Sequence, residues 1–231
     1  MDLLDRLQFF DLRDGVALAL IALCWVAIGL AVEHGLGQRR SVSQLMNRYR
    51  REWLHAFVSR QPRILDGAIL NGLRQGTTFF ASASMIAIGG GLALIGNTER
   101  LLAVAEDLSL EAPALVWEVK ILLILFFLAN AFLKFVWSHR LFGYCAVVMA
   151  AVPNDESEPA YARAAQAAEL NISAARAYNR GLRAVYFALA ACGWLLGPWA
   201  LIGATLLTLA VLWRREFASH SRTVLLVGDT K

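Results

Sequence analysis

Long uninterrupted apolar blocks constrain this chain more than any other feature. The first reads VALALIALCWVAIGLAV over about 16–32, and three more cover about 77–95, 113–137 and 184–212. The apolar residues fill these blocks solidly, without alternating or recurring every three or four positions. About 18 such residues suffice to span a hydrocarbon core about 30 Å thick. A backbone inside lipid must satisfy its own hydrogen bonds, and blocks of this length do so as helices. The expected fold is therefore all-α: a polytopic helical membrane protein with four transmembrane helices and long cytoplasmic helical extensions. The last block is too long for one straight span. A tilt or a kink at Gly197–Pro198 is expected there, with a pair of short half-helices as the other arrangement.

Composition agrees with this reading. Charged residues make up 17% of the chain and mean hydropathy is +0.52, whereas a soluble domain carries about a quarter of its residues as charge. A net charge of +4 in a soluble protein would raise the question of nucleic acid. Here the basic residues lie beside the apolar spans, where they set orientation and meet anionic headgroups. Membrane lipids are thus the expected partners, and nucleic acid is not. Cys24, Cys145 and Cys192 have no zinc-ligand spacing and read as buried free thiols.

Charge divides the chain into sides. Asp2, Asp5, Asp11 and Asp14 outnumber Arg6 and Arg13 before the first span. A secretory signal begins basic, so this span reads as a retained helix. The next connection holds Arg39, Arg40, Arg48, Arg50, Arg51, Arg60, Arg63 and Arg74 against Glu52 and Asp66. Within it, a basic amphipathic segment over 42–60 sets Leu45, Trp53, Leu54, Phe57 and Val58 among arginines. Such a helix lies on a membrane surface or packs against another helix. The loop after the second span is acidic, with Glu99, Glu106, Asp107 and Glu111. The third span begins near Pro113 and continues without a strong breaker to Ala151, a helix of about 55 Å at 1.5 Å per residue. VPNDESE, residues 152–158, is a turn, and the Ala-rich helix after it runs into the fourth span. Residues 138–183 therefore form a cytoplasmic helical hairpin. Basic connections face the cytoplasm, which places both termini on the outer side of a bacterial inner membrane. Arg214 and Arg215 are the exception.

No Walker A loop, GxGxxG, HExxH, CxxC or nucleophile elbow occurs, and no cofactor is expected. His34 and His139 fall at the cytoplasmic ends of spans, where a bis-histidine haem is conceivable, but interfacial histidines are common and nothing else supports one. More informative are three polar stripes at one membrane depth. Asn71, Gln75, Thr78 and Ser82 share a helix face at i, i+4, i+7 and i+11. Asn130, Lys134 and Ser138 share a second face, and Asn179, Arg183 and Tyr186 a third. Ionisable groups at such depth face the protein interior or a cavity. The functional reading is a cytoplasmic-side vestibule in which Lys134 and Arg183 draw in an anion or lipid phosphate. The plainer reading has Lys134, Arg140 and Arg183 snorkelling to headgroups. Gly72–Gly76 and Gly193–Gly197 form GxxxG pairs, and Gly89–Gly91 run together, all of which permits close helix approach.

LNGLRQGTTFFAS (Leu70–Ser82), FLKFVWSHRLFGYC (Phe132–Cys145) and AYNRGLRAVYFALA (Ala177–Ala190) together resemble an uncharacterised membrane protein family of bacteria and plants, domain of unknown function 599. The resemblance implies a four-span helical membrane protein and brings no activity, cofactor or catalytic residue. Three function classes follow. The first is a homo-oligomeric channel or transporter for a small ion or solute. The second is a non-catalytic accessory or structural subunit that binds lipid or a larger membrane complex. The third is a lipid-headgroup enzyme, for which Asp66 is the one nearby carboxylate.

Overall fold

The computed structural model describes residues 10–37, 39–97 and 113–227, and among these every helix or strand element is helical. α1 covers Leu12–His34, α2 Val42–Ser59, α3 Ile64–Ile95, α4 Ala114–Ala150, α5 Glu158–Cys192, α6 Pro198–Phe217 and α7 His220–Val227. A 3-10 turn over Gly193–Leu196 separates α5 from α6. Asp2, Asp5 and Arg6 before the first span, and Glu99, Glu106, Asp107 and Glu111 of the acidic loop, lie outside the described residues.

Three helices are long and apolar enough to cross a membrane: α1 with 23 residues, α3 with 32 and α4 with 37. α4 matches the long helix read from the sequence, about 55 Å at 1.5 Å per residue. α1 starts where Asp11 accepts from the Leu12 amide at 2.7 Å and Asp14 accepts from the Asp11 amide at 3.1 Å. Helix-start amides have no partner inside the helix, and these carboxylates supply one. α1 ends at Gly35, whose φ of +78° is costly for any residue with a Cβ.

α2 realises the amphipathic segment. Ser41 and Gln44 form a reciprocal capping box at its start, each contact 3.1 Å long. Its apolar face does not look outward. Leu54, Phe57 and Val58 join a core with Leu70 of α3, Leu141, Phe142 and Met149 of α4, and Ala160, Ala164, Ala167 and Ala168 of α5. Of the two arrangements expected for this segment, packing against other helices is the one found. Each large side chain buried this way contributes about 1.5–3 kcal/mol.

The chain forms two compact units. One holds the described residues of Met1–Leu30, Ala83–Ala131 and Leu182–Trp213; the other holds those of Ala31–Ser82, Phe132–Gly181 and Arg214–Lys231. α1, α3, α4, α5 and α6 each begin in one unit and end in the other. In the first unit, Trp117, Ile121 and Leu125 pack with Ile88, Leu94 and Leu195. Trp25 stands edge-on to Phe126 and Phe127, with ring centroids 5.9 and 5.2 Å away. Buried there too is a hydrogen bond of 2.6 Å from Trp194 Nε1 to Asp14. The second unit contains the alanine-lined core of α5. Close approach in it rests on Gly181, where a Cβ would meet the Phe135 ring at 2.7 Å.

The stretch expected as a fourth span over 184–212 is not one continuous helix. α5 stops at Cys192, the 3-10 turn follows, and Gly197 takes φ +117° before Pro198 opens α6. Proline has no amide hydrogen to continue the α5 ladder, and only glycine takes the Gly197 conformation readily. The interruption is a reversal and not a kink. A Cβ on Gly193 would lie 2.9 Å from the Ala200 carbonyl oxygen and 3.1 Å from Ala204 Cβ, so α6 folds back beside the end of α5.

Candidate functional site

The polar residues singled out in the sequence separate by role. On α3, Asn71, Gln75, Thr78 and Ser82 are all exposed. The opposite side of the same helix buries Asp66, Leu70, Thr77 and Ser84. α3 thus presents its polar stripe away from the face on which it packs. Only 6% of its most apolar stretch is buried, against 28% for α1 and 33% for α4. On α4, Asn130 and Lys134 are half-buried, and Arg140 is exposed with its guanidinium beside the Tyr144 hydroxyl. Ser138 is fully buried and donates to the Ala174 carbonyl at 2.7 Å. On α5, Asn179 donates to Ser43 Oγ at 3.3 Å, while Arg183 is buried and Tyr186 half-buried.

Asn179 belongs to a polar knot at the start of α2. Ser43 donates to Glu216 through its amide at 3.1 Å and through Oγ at 3.0 and 3.1 Å. A carboxylate at a helix start is stabilised by the unpaired amides and the helix dipole. Nearby, Arg180 pairs with Glu33, which raises the Arg180 pKa chiefly through that hydrogen bond. Ser138 and Asn179 therefore hold helices together, whereas the residues of the α3 stripe stay exposed.

A second polar feature lies on the flank of α3, in the unit that contains residues 31–82. Arg63, Gly67, Leu70, Asn71 and Arg74 line a cavity of about 340 Å³, which Phe57, Ala146, Met149, Ala150 and Asn154 complete. Their spacing of four, seven, eight and eleven places them along one side of the helix. Arg63 donates to the carbonyls of Val58, Val152 and Pro153 at 2.9–3.0 Å and lies over the Phe57 ring at 4.4 Å. Arg74 makes one long contact, 3.5 Å from Nη2 to His139 Nε2. His139 Nδ1 in turn sits 3.2 Å from the hydroxyls of both Thr77 and Thr78. The Nε atoms of Arg63 and Arg74 are buried without a hydrogen-bond partner.

Among the described residues, no carboxylate lines this cavity. Exposed Asp155 feels the charge of Arg63: its pKa is lowered first by the Ser157 hydroxyl and amide and to a lesser degree by that guanidinium. The sequence reading placed both arginines among residues that set orientation. The signal that distinguishes them was their shared side with Gly67 and Asn71, and it means something only once α4 is known to close over it.

Asp66 is buried, accepts from Trp53 Nε1 at 2.6 Å, and pairs with Arg60. It ties α2 to α3. Cys145 is equally enclosed: burial pushes its thiol up to about 11, and its neighbours are Asn171 and the Ala167 carbonyl. Among the described residues, no three His, Cys, Asp or Glu side chains group to hold a metal ion.

Residues 16–221 match the family described as a protein of unknown function, DUF599. The chain belongs to the DUF599 family. The matched region takes in every candidate residue from Asn71 to Tyr186 and the whole lining of the cavity. No curated protein and no solved structure matches the chain.

Proposed function

We propose that this DUF599 protein is an integral protein of the bacterial inner membrane. In this reading it crosses the bilayer five times and assembles with copies of itself along α3 around a polar path for a small ion or solute. The observation that carries the reading is the exposed row Asn71, Gln75, Thr78 and Ser82 on the least buried of the apolar helices. Amide and hydroxyl side chains turned toward hydrocarbon lose their water partners at considerable cost. Where copies meet on this face, the same groups pair with one another or line water. Gly89, Gly90 and Ala93 are exposed further along α3, and such small residues permit close helix approach.

The count of five takes α6 as a crossing after α1, α3, α4 and α5. If the basic connection after α1 lies inside, as the charge rule has it, successive crossings bring the α4–α5 turn inside as well. α6 then ends inside as well. With 20 residues it is about 30 Å long, enough to cross, and it carries Arg214 and Arg215 in its last turn. Those arginines conform to the charge rule on this path, whereas a four-span path left them outside. The N-terminus remains on the outer side.

The function is tested by flux into sealed liposomes containing the purified protein, with potassium, sodium, chloride and phosphate as probes. Wild type is expected to carry at least one of them. Gln75→Leu with Ser82→Leu is expected to cut the rate by roughly tenfold, equivalent to about 1.4 kcal/mol in the barrier. Folded wild-type protein that passes none of the four contradicts the transport reading and favours an accessory role.

A further inference from the structure

We propose that the cavity between α2, α3 and α4 is a binding site for a phosphate-bearing amphiphile, with Arg74 as the principal anion contact. The inference does not depend on how copies assemble; the cavity lies on the flank of α3 beside the exposed stripe and shares Asn71 with it.

Arg74 offers the anion contact because so little occupies it. A guanidinium carries five N–H donors, yet the contact recorded for Arg74 is one 3.5 Å approach to a histidine ring, and its Nε is buried without a partner. No ion pair to Arg74 occurs among the described residues. A charge half-withdrawn from water and left without a counter-charge is costly, and a bound anion removes that cost. Arg63 adds a second positive charge to the wall. Its terminal nitrogens are held by three backbone carbonyls, so it contributes field and not flexible contacts. Asn71 and Asn154 bring amide groups to the same cavity.

The remaining wall selects the body of the ligand. Phe57, Leu70, Ala146, Met149 and Ala150 are apolar, and Gly67 leaves room because nothing lies within 4 Å of where its Cβ would be. A bare inorganic ion would leave this surface wet. A phosphate ester with an attached apolar portion satisfies both halves. At about 340 Å³ the space takes a headgroup with the first part of a chain, within the range of small-molecule sites. Two sources share that chemistry: an anionic phospholipid from the surrounding leaflet and a free phosphate monoester. Phosphate oxygens accept several guanidinium N–H bonds at once and leave others for the amides of Asn71 and Asn154.

The test uses the full-length protein in detergent and native mass spectrometry. Phosphatidylglycerol, phosphatidylcholine and glycerol 3-phosphate are added separately. Wild type is expected to retain phosphatidylglycerol or glycerol 3-phosphate in preference to phosphatidylcholine. Retention of the lipid alone identifies the leaflet as source, and retention of the soluble ester identifies a free ligand. Arg74→Gln is expected to weaken retention by roughly tenfold or more, the scale of a lost charge-assisted contact. Gly67→Leu fills the cavity without changing charge and should weaken it likewise. Arg176→Gln, an exposed arginine on α5, should leave it unchanged. Both cavity variants are compared with wild type for thermal stability, so that misfolding is recognised. Equal retention by wild type and folded Arg74→Gln, or no preference for the anionic ligands, overturns the proposal.

Discussion

Asp66 keeps a carboxylate at 0% exposure because two donors reach it, Trp53 from within α2 and Arg60 from just beyond its end. Removing Asp66 leaves two half-buried donors without their acceptor. Arg60 retains 35% exposure, so its share is discounted for solvent screening. Asp66→Ala is expected to cost about 2–3 kcal/mol, visible as a lowered melting temperature in detergent, while Asp66→Asn loses less because it can still accept from Trp53. Equal stability of Asp66→Ala and wild type would show that the knot is not structural. The sequence marked Asp66 as the one acid near a basic stretch and so as a candidate for catalysis. Its burial and its tryptophan partner depend on where α2 folds back, which no local pattern encodes.

At the scale of elements, the α5–α6 reversal decides where the chain ends. Gly197 and Pro198 announce an interruption in the sequence. What they do not announce is its angle, which rests on Gly193 allowing the Ala200 backbone within 2.9 Å of its missing Cβ. A chain that kinks and a chain that turns back share the same glycine and proline, so the sequence left a kinked span over 184–212 and a pair of half-helices both open. The reversal has a direct consequence for topology. A fluorescent protein that folds only in the cytosol is expected to be bright when fused after Lys231. An alkaline phosphatase fusion at the same place, active only outside, is expected to be inactive. The opposite pair of results would remove α6 as a crossing. Other elements were more legible. The apolar blocks gave α1, α3 and α4, and the Ser41–Gln44 start and apolar face of α2 were local patterns. The surface α2 covers was not, because amphipathicity shows which side is buried and not what buries it.

For the whole molecule, the three polar stripes differ in what they meet. Ser138 and Asn179 find partners inside the second unit, and Arg183 is buried. The α3 stripe stays exposed with Gly89, Gly90 and Ala93, although Thr78 reaches His139 and Asn71 borders the cavity. Periodicity assigns each stripe to one face of its helix, but whether that face looks inward is a property of the packed bundle. Arg63 and Arg74 show the reverse: residues first counted only as charge share a cavity wall once α4 passes beside them. The assembly through α3 is the claim on which the account turns, and native mass spectrometry of the protein released gently from its own membrane tests it most directly. A homo-oligomer of defined number is expected for wild type, reduced to monomer by Gln75→Leu with Ser82→Leu. A wild-type protein found as a monomer, or in a complex with a different protein docked in place of its own copies, would contradict it.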